Sequence, residues 1–381
     1  MSDSYKLSDI YELQMGKTPS RDISDYWADG QYDWISIADL SKCEKYINQT
    51  KERITNRAIE ESGIKVIPTD TIIMSFKLSI GKVAITQRPV YSNEAIMAFI
   101  DKGVTYILPQ YAFYLFSAQK WDKGTNRAVM GATLNKATLS QYRVSIHNAD
   151  EQAEIVNRLN KITDLINFRR KQIQKIDDLV KSQFIEMFGN PISNERKWEL
   201  CPLEAVGDVG SSKRIFEREY VKEGIPFFRT KEVVELSKGA QISTELFISE
   251  ERFAELKKEW GCPRKGDLLI SAVGTIGVIW IVDDRSFYFK DGNLLQVRSE
   301  LNSQFLKYVL EWLIADYKQE MSKGTAYAAL TINALKKMKI INVPTSAQEW
   351  FSHFVEQTDK SKVLIREHLF LINRLRKVEK T

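Results

Sequence analysis

The chain has 381 residues, 43% of them hydrophobic, enough for two or three packed domains, and this excludes a disordered polymer. Lys plus Arg number 55 and Asp plus Glu 50, a net charge of +5 that permits an acidic partner such as nucleic acid without requiring one. Cys43, Cys201 and Cys262 lie far apart with no CxxC spacing, which excludes a disulfide framework or a cysteine-paired zinc site and fits reduced thiols in the cytoplasm.

In chain order, the opening "MSDSYKLSDIYELQ" is charged throughout and is not expected to be a signal peptide. Next comes "GKTPSRDISDYWADG", a Gly-Pro turn offering Lys17, Thr18, Ser20 and Arg21 as hydrogen-bond donors. "DWISIADL" from Asp33 mixes aromatic and β-branched residues, as a strand does. "PTDTIIMSFKLSIGKVAI" from Pro68 reads as strand, turn and strand, with Ser75, Lys77 and Ser79 about the turn. "LPQYAFYLFSAQKW" from Leu108 is an aromatic-rich helix. "KGTNRAVMGATLN" from Lys123 is a polar phrase on a flexible glycine, carrying Lys123, Thr125, Asn126 and Arg127. A long helical pattern without Gly or Pro then runs from about Asp150 to Met187. Its apolar stripe is Ile155, Leu159, Ile162, Ile166, Ile173, Ile176 and Val180, a heptad seam that skips Arg169. Gly189 and Pro191 terminate it.

The same order then recurs. A shift of about 196 positions carries Leu7 onto Leu203 and Gln152 onto Gln348. "GSSKRIFEREY", with Ser211, Ser212, Lys213 and Arg214, takes the place of the Gly-Lys-Thr-Pro turn. "PFFRTKEVV" from Pro226, with Arg229, is the counterpart of "DWISIADL". "PRKGDLLISAVGTIGVIW" from Pro263 matches the strand–turn–strand segment, with Ser271 and Thr275 on Ser75 and Ser79, and Val273 on Lys77. The run "LLISAVGTIGVIWIV" is too short to span a bilayer. After the helix "NSQFLKYVLEWLIADYKQEM", the phrase "KGTAYAALTIN" brings Lys323, Thr325 and Tyr327. A second long helix runs from about Ser346 to Lys377, its stripe formed by Phe351, Val355, Ile365, Leu369 and Ile372. The chain is therefore expected to hold two copies of one α+β globule, each of about 150 residues.

One long helix alone would simply lie on its own globule. Two, one per repeat, are expected to pair as an antiparallel coiled coil, with Arg169 near Thr358 and Lys362 as polar groups that fix register. At ~1.5 Å per residue each rod is roughly 50–55 Å long. Two DNA half-sites one turn apart are separated by ~34–36 Å, so such rods would serve as a ruler.

The Gly16–Arg21 phrase, Tyr26-Trp27, Trp34-Ile35-Ser36 and the paired "KGT…TLN/TIN" phrases together resemble the specificity subunit of type I restriction–modification systems, over nearly the whole chain. The resemblance implies two target recognition domains, each reading half of a split, asymmetric site in double-stranded DNA. It implies helices that dock two adenine-methylating modification subunits, with restriction (motor-nuclease) subunits as further partners. It also implies no catalysis and no cofactor in this chain; S-adenosylmethionine belongs to the modification subunits. The second half departs from the opening pattern, as two different half-sites would require. The domain boundaries expected are 1–148, 149–188 (first long helix), 189–345 and 346–381 (second long helix).

Phosphates take Lys, Arg, Ser, Thr and backbone N–H, while base edges take Arg, Lys, Asn and Gln. The loop residues named above are thus the candidate DNA contacts, each set against an ordinary surface turn. Arg229 reads guanine or makes an internal ion pair; Tyr26, Trp27 and Trp34 fit core packing. Arg169-Arg170-Lys171 is a solvated face or a contact with spacer phosphates. An enzyme is disfavoured: Asn190-Pro191 is followed by Ile192 instead of a second proline, and no Walker lysine motif occurs. Two alternatives are a duplicated coiled-coil scaffold that touches only protein, and the specificity module of a methylation-only system.

Overall fold

A computed structural model describes residues 3–77, 79–121, 126–128, 131–242, 244–321 and 329–378, with side chains left undescribed at 126–128, 131–133 and 376–378. The chain divides into two compact units, Met1–Arg170 with Glu367–Thr381, and Lys171–Arg366. Among the described residues no helix is long and apolar enough to cross a membrane.

The first unit is closed by a two-stranded ribbon, Asp3–Lys6 antiparallel to Arg143–Ile146. Its central sheet runs in the order Tyr11–Met15, Ile96–Asp101, Ile72–Ser75, Val83–Thr86, Tyr46–Ile47. Successive strand residues point to opposite faces, and both faces here are apolar. Ile72, Met74, Met97 and Phe99 pack with Tyr111 and Phe116 of the helix Pro109–Ala118. Ile73, Ala84, Ile96 and Ala98 pack with Ile35, Leu40 and Ile47. A smaller sheet sets Tyr32–Ile35 between Glu52–Ile54, antiparallel, and Tyr91–Ser92, parallel. Tyr26, Trp34 and Tyr91 are buried in its own cluster.

The strand expected across Asp33–Leu40 stops at Ile35, and a helix spans Ile37–Lys42. Ser36 and Asp39 form a capping box, and this local pairing outweighs the β-branched composition.

The second unit repeats the plan. Its ribbon pairs Glu199–Pro202 with Lys339–Asn342, and its central sheet runs Gly207–Gly210, Leu294–Ser299, Leu268–Ser271, Ile279–Ile281. Ile225–Phe228 lies parallel to Tyr288–Phe289 and antiparallel to Phe247–Ile248. Below single strands the match extends to individual bonds. The Leu7 N–H donates to the Tyr142 carbonyl and the Leu203 N–H to the Met338 carbonyl. Gln152 and Gln348, both buried, accept from the Leu108 and Asn302 N–H groups at 2.9 and 3.0 Å and donate to the His147 and Val343 carbonyls. Such tied amides hold the start of each long helix against its unit.

The long helices are Ala149–Phe188, of 40 residues, and Thr345–Val378, of 34. At 1.5 Å per residue they measure about 60 and about 51 Å. Seam residues Leu159 (buried), Ile155 and Ile162 (half-buried) pack on the first unit's core. Val180, Phe351 and Val355 are buried in the second unit's core. Ile166 is buried; Ile173, Ile176, Ile365, Leu369 and Ile372 are half-buried. Within the second unit, Phe184 meets Phe351 at 5.4 Å and Asp177 meets Lys362 at 3.0 Å, so the helix segments run antiparallel. The buried Lys362 pairs with Asp359 of its own helix at 2.7 Å and with Asp177 of the facing helix, neither of which the apolar stripe marks.

Candidate nucleic-acid interface

In the first unit the opening loop follows Tyr11–Met15 and is fastened to the neighbouring strand exit. The Lys17 N–H donates to the Ser92 carbonyl at 2.8 Å and the Gly16 N–H to the Ile96 carbonyl at 3.1 Å. A Cβ on Gly16 would collide with the Ser92 and Asn93 carbonyl oxygens, so only glycine fits this approach. Beyond it, Lys17, Ser20 and Arg21 are exposed and Thr18 half-buried. Each is already engaged. Lys17 Nζ donates to the Ser62 carbonyl, at the C-terminal end of the helix Asn56–Ser62. The Thr18 hydroxyl donates to the Glu94 carboxylate, and the Ser20 hydroxyl accepts the Asp22 N–H at 3.3 Å. Arg21 stacks 3.6 Å over the Trp27 ring and donates to Glu52 at 3.0 Å. The Arg21 hydrogen bond holds the Glu52 carboxyl below the ordinary carboxylate range. The Glu94 carboxyl is lowered too, by the Thr18 hydroxyl first and by the nearby Lys77 charge. The loop and the turn at Lys77 thus converge on Glu94, which the sequence reading did not single out.

The second unit places its loop the same way with different side chains. The Ser211 and Ser212 hydroxyls donate to the Leu294 and Phe289 carbonyls at 3.0 and 2.6 Å. The Lys213 N–H donates to the Tyr288 hydroxyl, and its Nζ lies 4.5 Å over the ring of Trp260, at the end of the helix Glu250–Glu259. Arg214 pairs with Asp291 at 3.0 Å. Lys17 and Lys213 both reach the C-terminal end of the corresponding helix, where the helix dipole favours a cation.

The strand–turn–strand segments have one design. Ser75 and Ser271 are fully buried, and their hydroxyls donate to the Ser79 and Thr275 carbonyls inside the turns. Gly81 and Gly277 both sit at φ +85°, a left-handed conformation that glycine accepts without strain. Ser79 and Thr275 are exposed, and Lys77 is half-buried. Thr275 lies on a groove of about 590 Å³ that also collects Thr230, Lys231, Lys238, Val273 and Asn293. Lys231, Lys238 and Asn293 were not visible as a group in the sequence, because they converge only when the helix Thr230–Ser237 packs beside the sheet.

Arg229 makes the internal ion pair: it donates to the buried Glu232 at 3.0 Å. Tyr26, Trp27 and Trp34 are core residues or pack on that core. Lys123, Thr125, Lys323, Thr325 and Tyr327 lie outside the described residues. Asn126 and Arg127 are described as backbone alone, in the strand Asn126–Ala128 antiparallel to Gly131–Thr133. Among the described residues no group of His, Cys, Asp and Glu could hold a metal ion.

A doubled scaffold with differing polar loops agrees with what this chain is similar to. The family model described as the type I restriction modification DNA specificity domain matches twice, at residues 2–178 and 195–371. The chain belongs to the type I restriction–modification DNA specificity family. The type I restriction enzyme MjaIX specificity subunit of Methanocaldococcus jannaschii is 27% identical over 98% of this chain and 90% of its own length. The EcoR124I/EcoR124II specificity subunit of Escherichia coli is 26% identical over 47% of this chain and 45% of its own. Two solved structures share the fold. A type I restriction–modification S subunit from M. genitalium has a TM-score of 0.53 at 14% identity, covering 100% of this chain and 95% of that one. A chain from a study of complex assembly in a type I system has a TM-score of 0.61 at 15% identity, covering 100% and 96%. This specificity subunit carries two copies of the DNA specificity domain, the arrangement that bipartite target recognition needs.

Proposed function

We propose that the chain is the non-catalytic sequence reader of a type I restriction–modification complex, each unit recognising one half of a bipartite, asymmetric site in double-stranded DNA. The observation that carries this is one scaffold used twice with changed side chains at corresponding places. Thr18 stands where Arg214 does, and Lys77 where Val273 does. Phosphate contacts position a reader on the duplex and base contacts specify its sequence, so a fixed frame with variable loop donors suits two different half-sites. Lys17, Thr18, Ser20, Arg21, Lys77 and Ser79 form the contact set of the first unit. Lys213, Arg214 and Thr275, with the newly grouped Lys231 and Asn293, form that of the second.

The partners follow from the same reading: two modification subunits that supply S-adenosylmethionine chemistry and dock on the long helices, with restriction subunits as an addition, all acting in the cytoplasm. The helices set the spacer between half-sites. The test is to replace residues 1–148 with those of another family member, express the complex with its modification subunits, and map methylated adenines by long-read sequencing. Only one half of the methylated motif is expected to change. A motif altered in both halves overturns the modular reading.

A further inference from the structure

The 196-residue shift carries position 18 onto position 214, yet the residues are Thr and Arg. Both donate to a carboxylate: the Thr18 hydroxyl to Glu94, and Arg214 Nε to Asp291 at 3.0 Å. The two acids hold the same place in the fold. Each directly follows the residue whose N–H returns to the end of the parallel strand, Asn93 to the Ile35 carbonyl and Lys290 to the Phe228 carbonyl. The donor has changed between the halves while the acid beside it has stayed. Both pairs reach solvent: Glu94 is exposed, and the Arg214 side chain is 68% and that of its partner Asp291 20% exposed. Lys77 adds a positive charge near Glu94, beside the neutral Thr18 hydroxyl, and helps keep it ionised.

A carboxylate on a surface that meets DNA repels the phosphates of every duplex, so it lowers affinity across the board. Its presence at the same point of both units points to selectivity, which is a difference of affinities and is sharpened by penalising wrong partners. We propose that Glu94 and Asp291 are selectivity gates: each occupies the donor of its own opening loop until an acceptor of the matching half-site replaces it, and repels duplexes that offer none. Correct DNA takes over the Thr18 or Arg214 hydrogen bond, so the exchange is nearly neutral. Incorrect DNA leaves the carboxylate facing phosphate with nothing gained. The inference rests on each unit being a half-site reader.

Glu94→Gln and Asp291→Asn keep shape and remove charge. Each variant is assembled with the modification subunits and compared with wild type in two ways. Binding to a random-sequence duplex is measured across a salt series, and methylation is mapped at sites carrying one mismatch in either half. Interactions between exposed charges are weak, so lifting the carboxylate's repulsion of phosphate is expected to raise random-duplex binding roughly two- to fivefold. E94Q should add methylation at sites mismatched in the first unit's half only, and D291N at sites mismatched in the other half. Methylation of fully matched sites stays, which also shows that the variants fold. Unchanged selectivity in both variants overturns the gate. So does loss of matched-site methylation in an assembled complex, which would make the acid a positive base contact. A wild-type complex that yields no bipartite motif fails differently, since it removes the half-site reading itself and the gate with it.

Discussion

Arg21 illustrates how a side chain that looks free in the sequence is held before any ligand arrives. Its guanidinium lies 3.6 Å from the Trp27 ring centre and donates in parallel to both Glu52 oxygens. In the proposed contact, DNA would either displace Glu52 or use the remaining face of an already oriented cation. The folded-state carboxyl of Glu52 lies below its ordinary range, so its contribution to stability is complete above the unfolded value of ~4.3 and is lost as pH falls through the lowered one. Wild type and Glu52→Gln are therefore expected to differ in urea midpoint above about pH 4.5 and to converge in more acid solution. About a third of the Glu52 side chain is exposed, at 34%, so the gap at neutral pH stays below about 1 kcal/mol. A gap that ignores pH would remove the pair as its cause. Lys17 to Arg21 were legible as loop donors because Gly and Pro mark a turn. Glu52 was not, because its place opposite Trp34 is set by strand register. Ser75 and Ser271 were legible as turn residues; their burial inside the turn was not, since a hydroxyl suits a solvent-facing turn equally well.

At the scale of elements, periodicity made both long helices plain, because apolar steps of three and four persist without Gly or Pro. What it under-read was the C-terminal end of the first helix. The stripe continues past Val180 in steps of four to Phe184 and Phe188, both buried. Phe184 packs against Phe188 one turn on, and against Phe305, Tyr308 and Phe351 from two other helices that no local pattern connects to it. Phe184→Ala should cost about 3–5 kcal/mol by opening a cavity in the second unit's core. By contrast, Lys362→Met should change stability by less than about 1 kcal/mol. The buried lysine of the Asp177–Lys362 pair gives way to an apolar chain of similar length, and the carboxylates left behind reach solvent. Denaturant midpoints of the two variants decide it, and equal losses would show that the helix pair has no aromatic anchor there. The shortened strand at Ile35 taught the opposite lesson. The Ser36–Asp39 capping signal is present in the sequence and ends the extended run against its β-branched composition.

For the whole molecule, duplication was the most legible property, since a constant shift aligns landmarks along the entire chain. Even so, the opening loops proposed to carry specificity are where the repeats diverge, so their contacts do not follow from the repeat. The proposed spacer role of the helices predicts that inserting about two turns, ~7 residues, after Arg170 and again after Arg366 lengthens the unread gap in the methylated motif and leaves both half-sites intact. An unchanged gap in a complex that still methylates would end that role. Asp3–Lys6 lies alongside Arg143–Ile146, and Glu199–Pro202 alongside Lys339–Asn342, so chain enters and leaves through a single narrow doorway. A graft cut on the outer side of that doorway would carry every internal strand pairing with it. If each globule reads its half-site as proposed, it would travel as a cartridge once the first turns of its long helix, which pack on its core, are taken along, and a host exchanging one cartridge would gain a new address on its genome without rebuilding the machine that visits it.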